Sequence, residues 1–169
     1  MNKQQRIMVG MIGAALWSPL GLAAEHDQSM HMQHQKQATV PDQPEIKDTR
    51  QAVKFPAQLR EHTLANMRDH LLALQQIQEE LARQDFDKAG DIAEQRLGMS
   101  SLALHGAHDV SKFMPQGMQA IGTAMHRNAS RFAIAAKDAS ATGDMKPSLA
   151  ALSNVTAQCV ACHAGYRVK

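Results

Sequence analysis

The chain has 169 residues, a length that favours one domain with or without tails. Apolar residues make up 44% of the sequence and charged residues 20%, as in soluble globular proteins. Aromatic residues contribute only 4% while methionine is abundant, a composition that favours helices and argues against an all-β fold. The formal net charge of +2 excludes a strongly basic nucleic-acid-binding protein.

The first 24 residues have the three parts of a secretory signal peptide. Lys3 and Arg6 give a positively charged start, residues 7–22 are largely apolar, and small residues at 21–24 suit cleavage. Cleavage removes two of the 18 basic side chains and leaves them equal in number to the 16 acidic ones. We therefore expect an exported, periplasmic protein that binds neither nucleic acid nor an anionic membrane surface. The alternative is an uncleaved membrane anchor, but the apolar run is short for a spanning helix.

Residues 25–55 are polar, rich in Gln, His and Pro, and show no helical or strand period. This composition is typical of a flexible tether. Imidazole and thioether groups occur close together in it and suit copper, Cu(I) especially. These groups belong to His26, Met30, His31, Met32 and His34. A solvated low-complexity segment is the alternative interpretation.

From residue 56 onward, apolar residues recur at steps of three and four, which is the helical period. The predicted helices cover about 56–85, 85–104, 116–139 and 144–169. The stripe of the first helix consists of Leu59, Leu64, Met67, Leu71, Leu74, Ile77 and Leu81. We predict an all-α domain, an antiparallel four-helix bundle. Its Ala- and Met-rich faces leave room between the helices for a bulky flat ligand.

The only two cysteines lie in Cys159-Val160-Ala161-Cys162-His163, which is the c-type haem attachment motif C-x-x-C-H. On a helix, positions i, i+3 and i+4 share one face, so both thiols and the imidazole project together. Each thiol can add to a haem vinyl group while the imidazole reaches the iron from the same side. A redox dithiol would open a helix after a strand, and a zinc site would need further ligands. We therefore predict one covalent haem c.

The C-terminal position of the motif, followed by residues 164–167 on the last helix of a predicted bundle, resembles the cytochrome c′ / cytochrome c-556 family. The resemblance implies that His163 is the fifth iron ligand and that Arg167 packs beside it. It also implies that Arg60 pairs with a haem propionate and that Leu64, four residues further on, lies at the distal position. Dimerisation is common in that family, so a homodimer is a further expectation.

The sixth iron position has two interpretations. Met67 lies on the same stripe as Leu64, and a methionine thioether raises the potential of a haem. A leucine at the distal position leaves the iron five-coordinate instead. The two residues face nearly the same way on a helix, so the sequence leaves both interpretations open.

The main functional hypothesis is a periplasmic electron carrier, cycling between Fe(III) and Fe(II) with a periplasmic redox partner protein. The alternatives are a haem protein that binds small gases such as nitric oxide, and a copper-handling factor with an accessory haem. We expect no enzyme, because the sequence has no nucleophile elbow, phosphate-binding loop or paired carboxylates. The remaining histidines of the helical region are scattered, and we expect most of them to lie at the surface or at helix ends, with no functional role. They are His62, His70, His105, His108 and His126.

Overall fold

The computed structural model describes residues 47–169. The predicted signal peptide and the His- and Met-containing segment lie outside the described residues. The elements in chain order are β1 (Gln51–Val53), α1 (Ala57–Ala82), α2 (Phe86–Arg96), a 3-10 turn (Met99–Ser101), α3 (Ala107–Ser111), α4 (Gln116–Thr142), α5 (Lys146–Gly165) and β2 (Tyr166–Val168). The described part is mostly helical, which confirms the predicted class. None of its helices is long and apolar enough to cross a membrane.

The ends of the long helices follow from local chemistry. Pro56 precedes α1, and its carbonyl accepts the first helical bond, from the Arg60 amide at 2.8 Å. Between α1 and α2, the Asp85 carboxylate accepts a hydrogen bond from the Lys88 amide at 3.2 Å and so caps α2. Gly143 ends α4 in the left-handed conformation, at a φ of 74°. The helix boundaries near 85 and 143 are therefore where the sequence predicts them.

The second helix ends earlier than predicted, at Arg96 instead of about residue 104. Gly98 leaves the helical conformation, and a Cβ there would lie only 2.7 Å from the carbonyl oxygen of Glu94. The Glu94 carboxylate accepts a hydrogen bond from the Ser100 amide at 3.1 Å and stabilises the chain after this bend. Only glycine fits this turn. The apolar residues that continue the helical period beyond it therefore lie in the 3-10 turn and the loop that follows.

The last residues of the predicted tether are part of the fold. Strand β1 pairs in parallel with β2, in the register Gln51↔Tyr166, Ala52↔Arg167 and Val53↔Val168. Val53 is 3% exposed and Phe55 is 8% exposed. The predicted boundary at residue 55 is therefore wrong for this segment. Strand β1 is only three residues long and pairs with residues that follow the last helix. It is therefore too short to show a strand period in the sequence.

The helices pack in sequence order around one core. Helix α1 packs on α2, α2 on α4, and α4 on α5, whereas α1 and α5 have almost no close backbone contact. The main core is rich in alanine, which lets helices approach closely. Its buried residues are Ala73, Ile77, Leu81, Phe86, Ala89, Ala93, Leu97, Met125, Ala129, Phe132, Ala136, Ala139, Leu152 and Val155.

A second, smaller cluster lies beside the strands and is here called the strand-end cluster. Its buried members are Val53, Phe55, Val110 and Met118. Cys162 and Tyr166 pack against it. Because β1 precedes α1 and β2 follows α5, the strands join the start of α1 to the end of α5. This end of the molecule therefore holds the C-x-x-C-H motif.

Candidate functional site

The motif lies on the last turns of α5, as predicted. Both cysteines are half-buried free thiols, and His163 is exposed. Cys159 packs against the main core and Cys162 against the strand-end cluster. Burial raises the pKa of both thiols, and the neighbouring Cys159 adds to the effect on Cys162. Reactive redox dithiols have lowered pKa values, so this environment does not favour the dithiol interpretation.

The orientation of His163 follows from the way α5 packs on α4. Ser148 marks the side of α5 that faces α4, because its hydroxyl donates a hydrogen bond to the Ala135 carbonyl at 2.9 Å. His163 follows fifteen residues later and lies about 60° around the helix from Ser148. The imidazole therefore lies to one side of the α4 contact, where it is exposed.

The apolar stripe of α1 is divided by its contacts with α2. Arg96 of α2 bonds to Asp69 and to Gln76, which marks the side of α1 that faces α2. By helical periodicity Arg60, Leu64, Met67 and Leu71 lie on roughly the opposite side of α1, within about 40°. Arg60, Leu64 and Met67 are half-buried, and Leu71 is 68% exposed.

The apolar stripe of α1 is thus not buried along its whole length. Ile77 and Leu81 are buried in the main core, whereas Leu71 is exposed. The side of α1 that packs presents Thr63, His70 and Ala73 instead. A polar residue can replace an apolar one there because it has local partners: the Thr63 hydroxyl donates to the Leu59 carbonyl at 2.8 Å.

Helices α1 and α5 have almost no close backbone contact, and we call the space between them the α1–α5 gap. Leu64 and Met67 lie on the side of α1 away from α2, and Val160 and His163 are exposed on α5. The strands tie the two helices together at one end. The structure thus leaves the predicted axial ligand exposed on α5 and both candidates for the distal position half-buried on α1.

The two predicted arginines have other partners in this structure. The Arg60 guanidinium bonds to the neighbouring Glu61 at 2.6 Å, on the surface. The Arg167 Nε atom lies 3.3 Å from the Asp48 carboxylate, to which Arg50 also bonds. Hydrogen bonds from Arg50 lower the pKa of Asp48 to about 2. Arg50, which the sequence did not single out, donates to the His163 carbonyl at 3.5 Å.

Histidines that look scattered in the sequence are brought together by the fold. His70, His105 and His126 are all buried, and their rings are in mutual contact. No spacing could have revealed this, since the three come from α1, a loop and α4. His108 is exposed. The expectation that these histidines are mostly surface residues is therefore wrong for the three clustered ones.

An open pocket lies elsewhere, between α2 and α4. It is lined by Gly90, Asp91, Glu94, Ser130, Ala133 and Lys137, and no residue of α5 takes part. Within residues 47–169, no group of three or more His, Cys, Asp or Glu side chains has the geometry to hold a metal ion.

Comparison with known proteins identifies no relative: no family model, curated protein or solved structure matches the chain at a significant level. The resemblance to the cytochrome c′ family therefore rests on the motif, its C-terminal place and the residues of α1.

Proposed function

We propose that this protein is an exported c-type cytochrome that transfers electrons through one covalently bound haem. Cys159 and Cys162 would hold the haem by thioether bonds, and His163 would ligate its iron. The observation that carries the proposal is a C-x-x-C-H motif on the last helix, beside a gap bordered by apolar side chains. When bound, the haem supplies a one-electron Fe(III)/Fe(II) couple.

The residues at the gap fit such a group. Both thiols lie on one face of α5, three residues apart, and burial raises the pKa of each. His163 is exposed and has no partner for its side chain among the described residues. A flat apolar macrocycle in the gap would cover Leu64, Met67 and Leu71 and remove their surface from water.

The side chains around the gap would set the behaviour of the iron. His163 would hold it from α5, and the apolar border of α1 would keep water away from it, which favours electron transfer in a dry site. We also propose that the domain is a four-helix bundle, because a ligand between α1 and α5 would complete the packing that those two helices lack.

The same α1 border supports a second candidate function. Leu64 is a half-buried apolar residue that cannot ligate iron. With Leu64 beside the iron, the haem would keep a position open to a small gas such as nitric oxide. With Met67 as a ligand, that position would be filled and the protein would act as an electron carrier. An optical spectrum of the native protein separates the two, since a high-spin spectrum eliminates Met67 and a change to high spin in Met67→Ala establishes it.

Covalent attachment is tested by denaturing electrophoresis with haem staining, after export in a host that matures c-type cytochromes. The native chain should stain, and Cys159→Ala and Cys162→Ala should each weaken haem retention. Val160→Ala is the matched control, because it changes an exposed residue between the two cysteines. Haem lost from the native chain on acid–acetone extraction would refute thioether attachment.

A further inference from the structure

Three imidazoles are in mutual contact in the interior, here called the buried histidine cluster: His70 of α1, His105 of the loop before α3, and His126 of α4. Their ring centroids are 4.7 Å apart for His70 and His105, 5.4 Å for His105 and His126, and 6.2 Å for His70 and His126. Each side chain is less than a tenth exposed. The cluster therefore joins three separate parts of the chain through side chains that can take up protons.

The hydrogen bonds of the cluster suit neutral rings. His126 Nδ1 lies 2.7 Å from the Leu97 carbonyl oxygen, so this nitrogen carries a hydrogen and donates it. The Nε2 atoms of His70 and His105 are buried and have no partner among the described residues. A proton added to either atom would have no acceptor, and burying an unpaired charge is costly.

The charged groups around the cluster do not compensate for a new positive charge. On α1, Asp69 is the facing carboxylate, but Arg96 of α2 already pairs with it. His62 is the other titratable group on α1, while α4 contributes only His126 itself. Burial, and then mutual repulsion, lowers the pKa of His70 to about 4. Burial also lowers the pKa of His105 and of His126.

We propose that the buried histidine cluster is an acid-sensitive latch, which holds α1 against α4 and the loop at neutral pH and releases it when the imidazoles are protonated. In the open form the rings meet water and bind protons near pH 6.5. The closed form resists protonation of His70 until about pH 4. The closed form is thus fully favoured above about pH 6.5 and loses its advantage as the pH falls toward 4, by roughly 10²-fold for His70 alone.

Release would matter for the α1–α5 gap, because α1 supplies one of its borders. Apart from the cluster, α1 is held by its packing on α2, by β1, and by Ile77 and Leu81 in the main core. Opening at the cluster would therefore change the part of the gap beside Leu64 and Met67 while the main core stays packed. The proposal does not depend on the bound haem, since it rests on packing that the chain makes by itself.

Hydrogen exchange of the full chain, read by mass spectrometry between pH 7 and 4, tests the latch after correction for intrinsic exchange rates. Protection in α1 and in residues 98–106 should fall by at least tenfold on acidification, while protection of the α4–α5 contact persists. His70→Gln, which cannot be protonated, should move this transition to lower pH. His108→Gln, on an exposed histidine, should leave it unchanged.

Two outcomes would overturn the proposal: protection that stays constant down to pH 4, or a transition that His70→Gln does not move. If His70→Gln fails to fold, His105→Gln and titration of the histidine C–H resonances in the native chain take its place. In those spectra the cluster histidines should titrate below pH 6.5, together with the loss of protection. A chain with both Cys159→Ser and Cys162→Ser has no thiol for haem attachment and should show the same transition. A missing transition in that chain therefore contradicts the latch alone and not the cytochrome proposal.

Discussion

Helix α5 has two very different neighbours. Against α4 it is closely packed, with Ser148 donating a hydrogen bond to the Ala135 carbonyl at 2.9 Å and with alanines along the α4 face. Toward α1 it has almost no close backbone contact, and Val160 on α5 and Leu71 on α1 are each 68% exposed. Small residues allow helices to approach closely, whereas exposed apolar side chains leave a surface that no helix covers. The comparison thus separates a closely packed helix contact from an open one.

The largest expected effect is on the closely packed side. Phe132 of α4 is completely buried in the main core. We expect Phe132→Ala to lower the free energy of unfolding by about 4 kcal/mol, because it leaves a cavity in a rigid core. Denaturant unfolding measures this, with Phe113→Ala as the matched control on a 42% exposed ring. Equal losses in the two variants would contradict the assigned core.

The next prediction compares the two sides of one helix. Ile77→Ala on the packed side of α1 should cost about 3 kcal/mol of stability. Leu71→Ala, on the border of the gap, should cost less than about 0.5 kcal/mol in the haem-free chain. A loss of several kcal/mol for Leu71→Ala without haem would mean that the gap is closed by protein. In the haem-loaded chain, a larger cost for Leu71→Ala than in the haem-free chain would support a haem covering this side.

A smaller effect is expected at the strand end, where the cluster is small. Phe55→Ala should lower the free energy of unfolding by about 2 kcal/mol, less than is usual for a buried phenylalanine, because few side chains surround it. Lys54→Ala changes an exposed neighbour and serves as the control. Thermal unfolding of both variants tests whether residues 51–55 belong to the fold. If Phe55→Ala unfolds at the same temperature as the control, residues 51–55 belong to the tether.

The smallest effect concerns Arg167. Its ion pair with Asp48 is on the surface, so Arg167→Gln should change stability by less than about 0.5 kcal/mol. Because Arg167 pairs with Asp48, the substitution should also leave the haem spectrum unchanged. A shifted spectrum would instead favour the family role implied for this residue, in which it packs beside the proximal histidine.

Much of the local structure could be predicted from the sequence. The helical class, the ends of α1 and α4, the cap at Asp85 and the place of the motif on the last helix all depend on neighbours a few residues apart. Proline, glycine and capping carboxylates act within one turn, so their effect is visible in the sequence. The attachment motif is equally local, because its three residues share one helical face by spacing alone.

Only the tertiary structure decided which apolar residues are core. The stripe of α1 is continuous in the sequence, yet Ile77 is buried and Leu71 is exposed, because α2 and α4 cover one side and α5 does not close over the other. The pairing of β1 with β2 and the contact of His70, His105 and His126 join residues far apart in the chain. Such contacts depend on how whole helices pack, and no local spacing encodes them. The sequence by itself thus determined that Cys159, Cys162 and His163 share one helical face, while packing decided where the gap and the buried histidines lie.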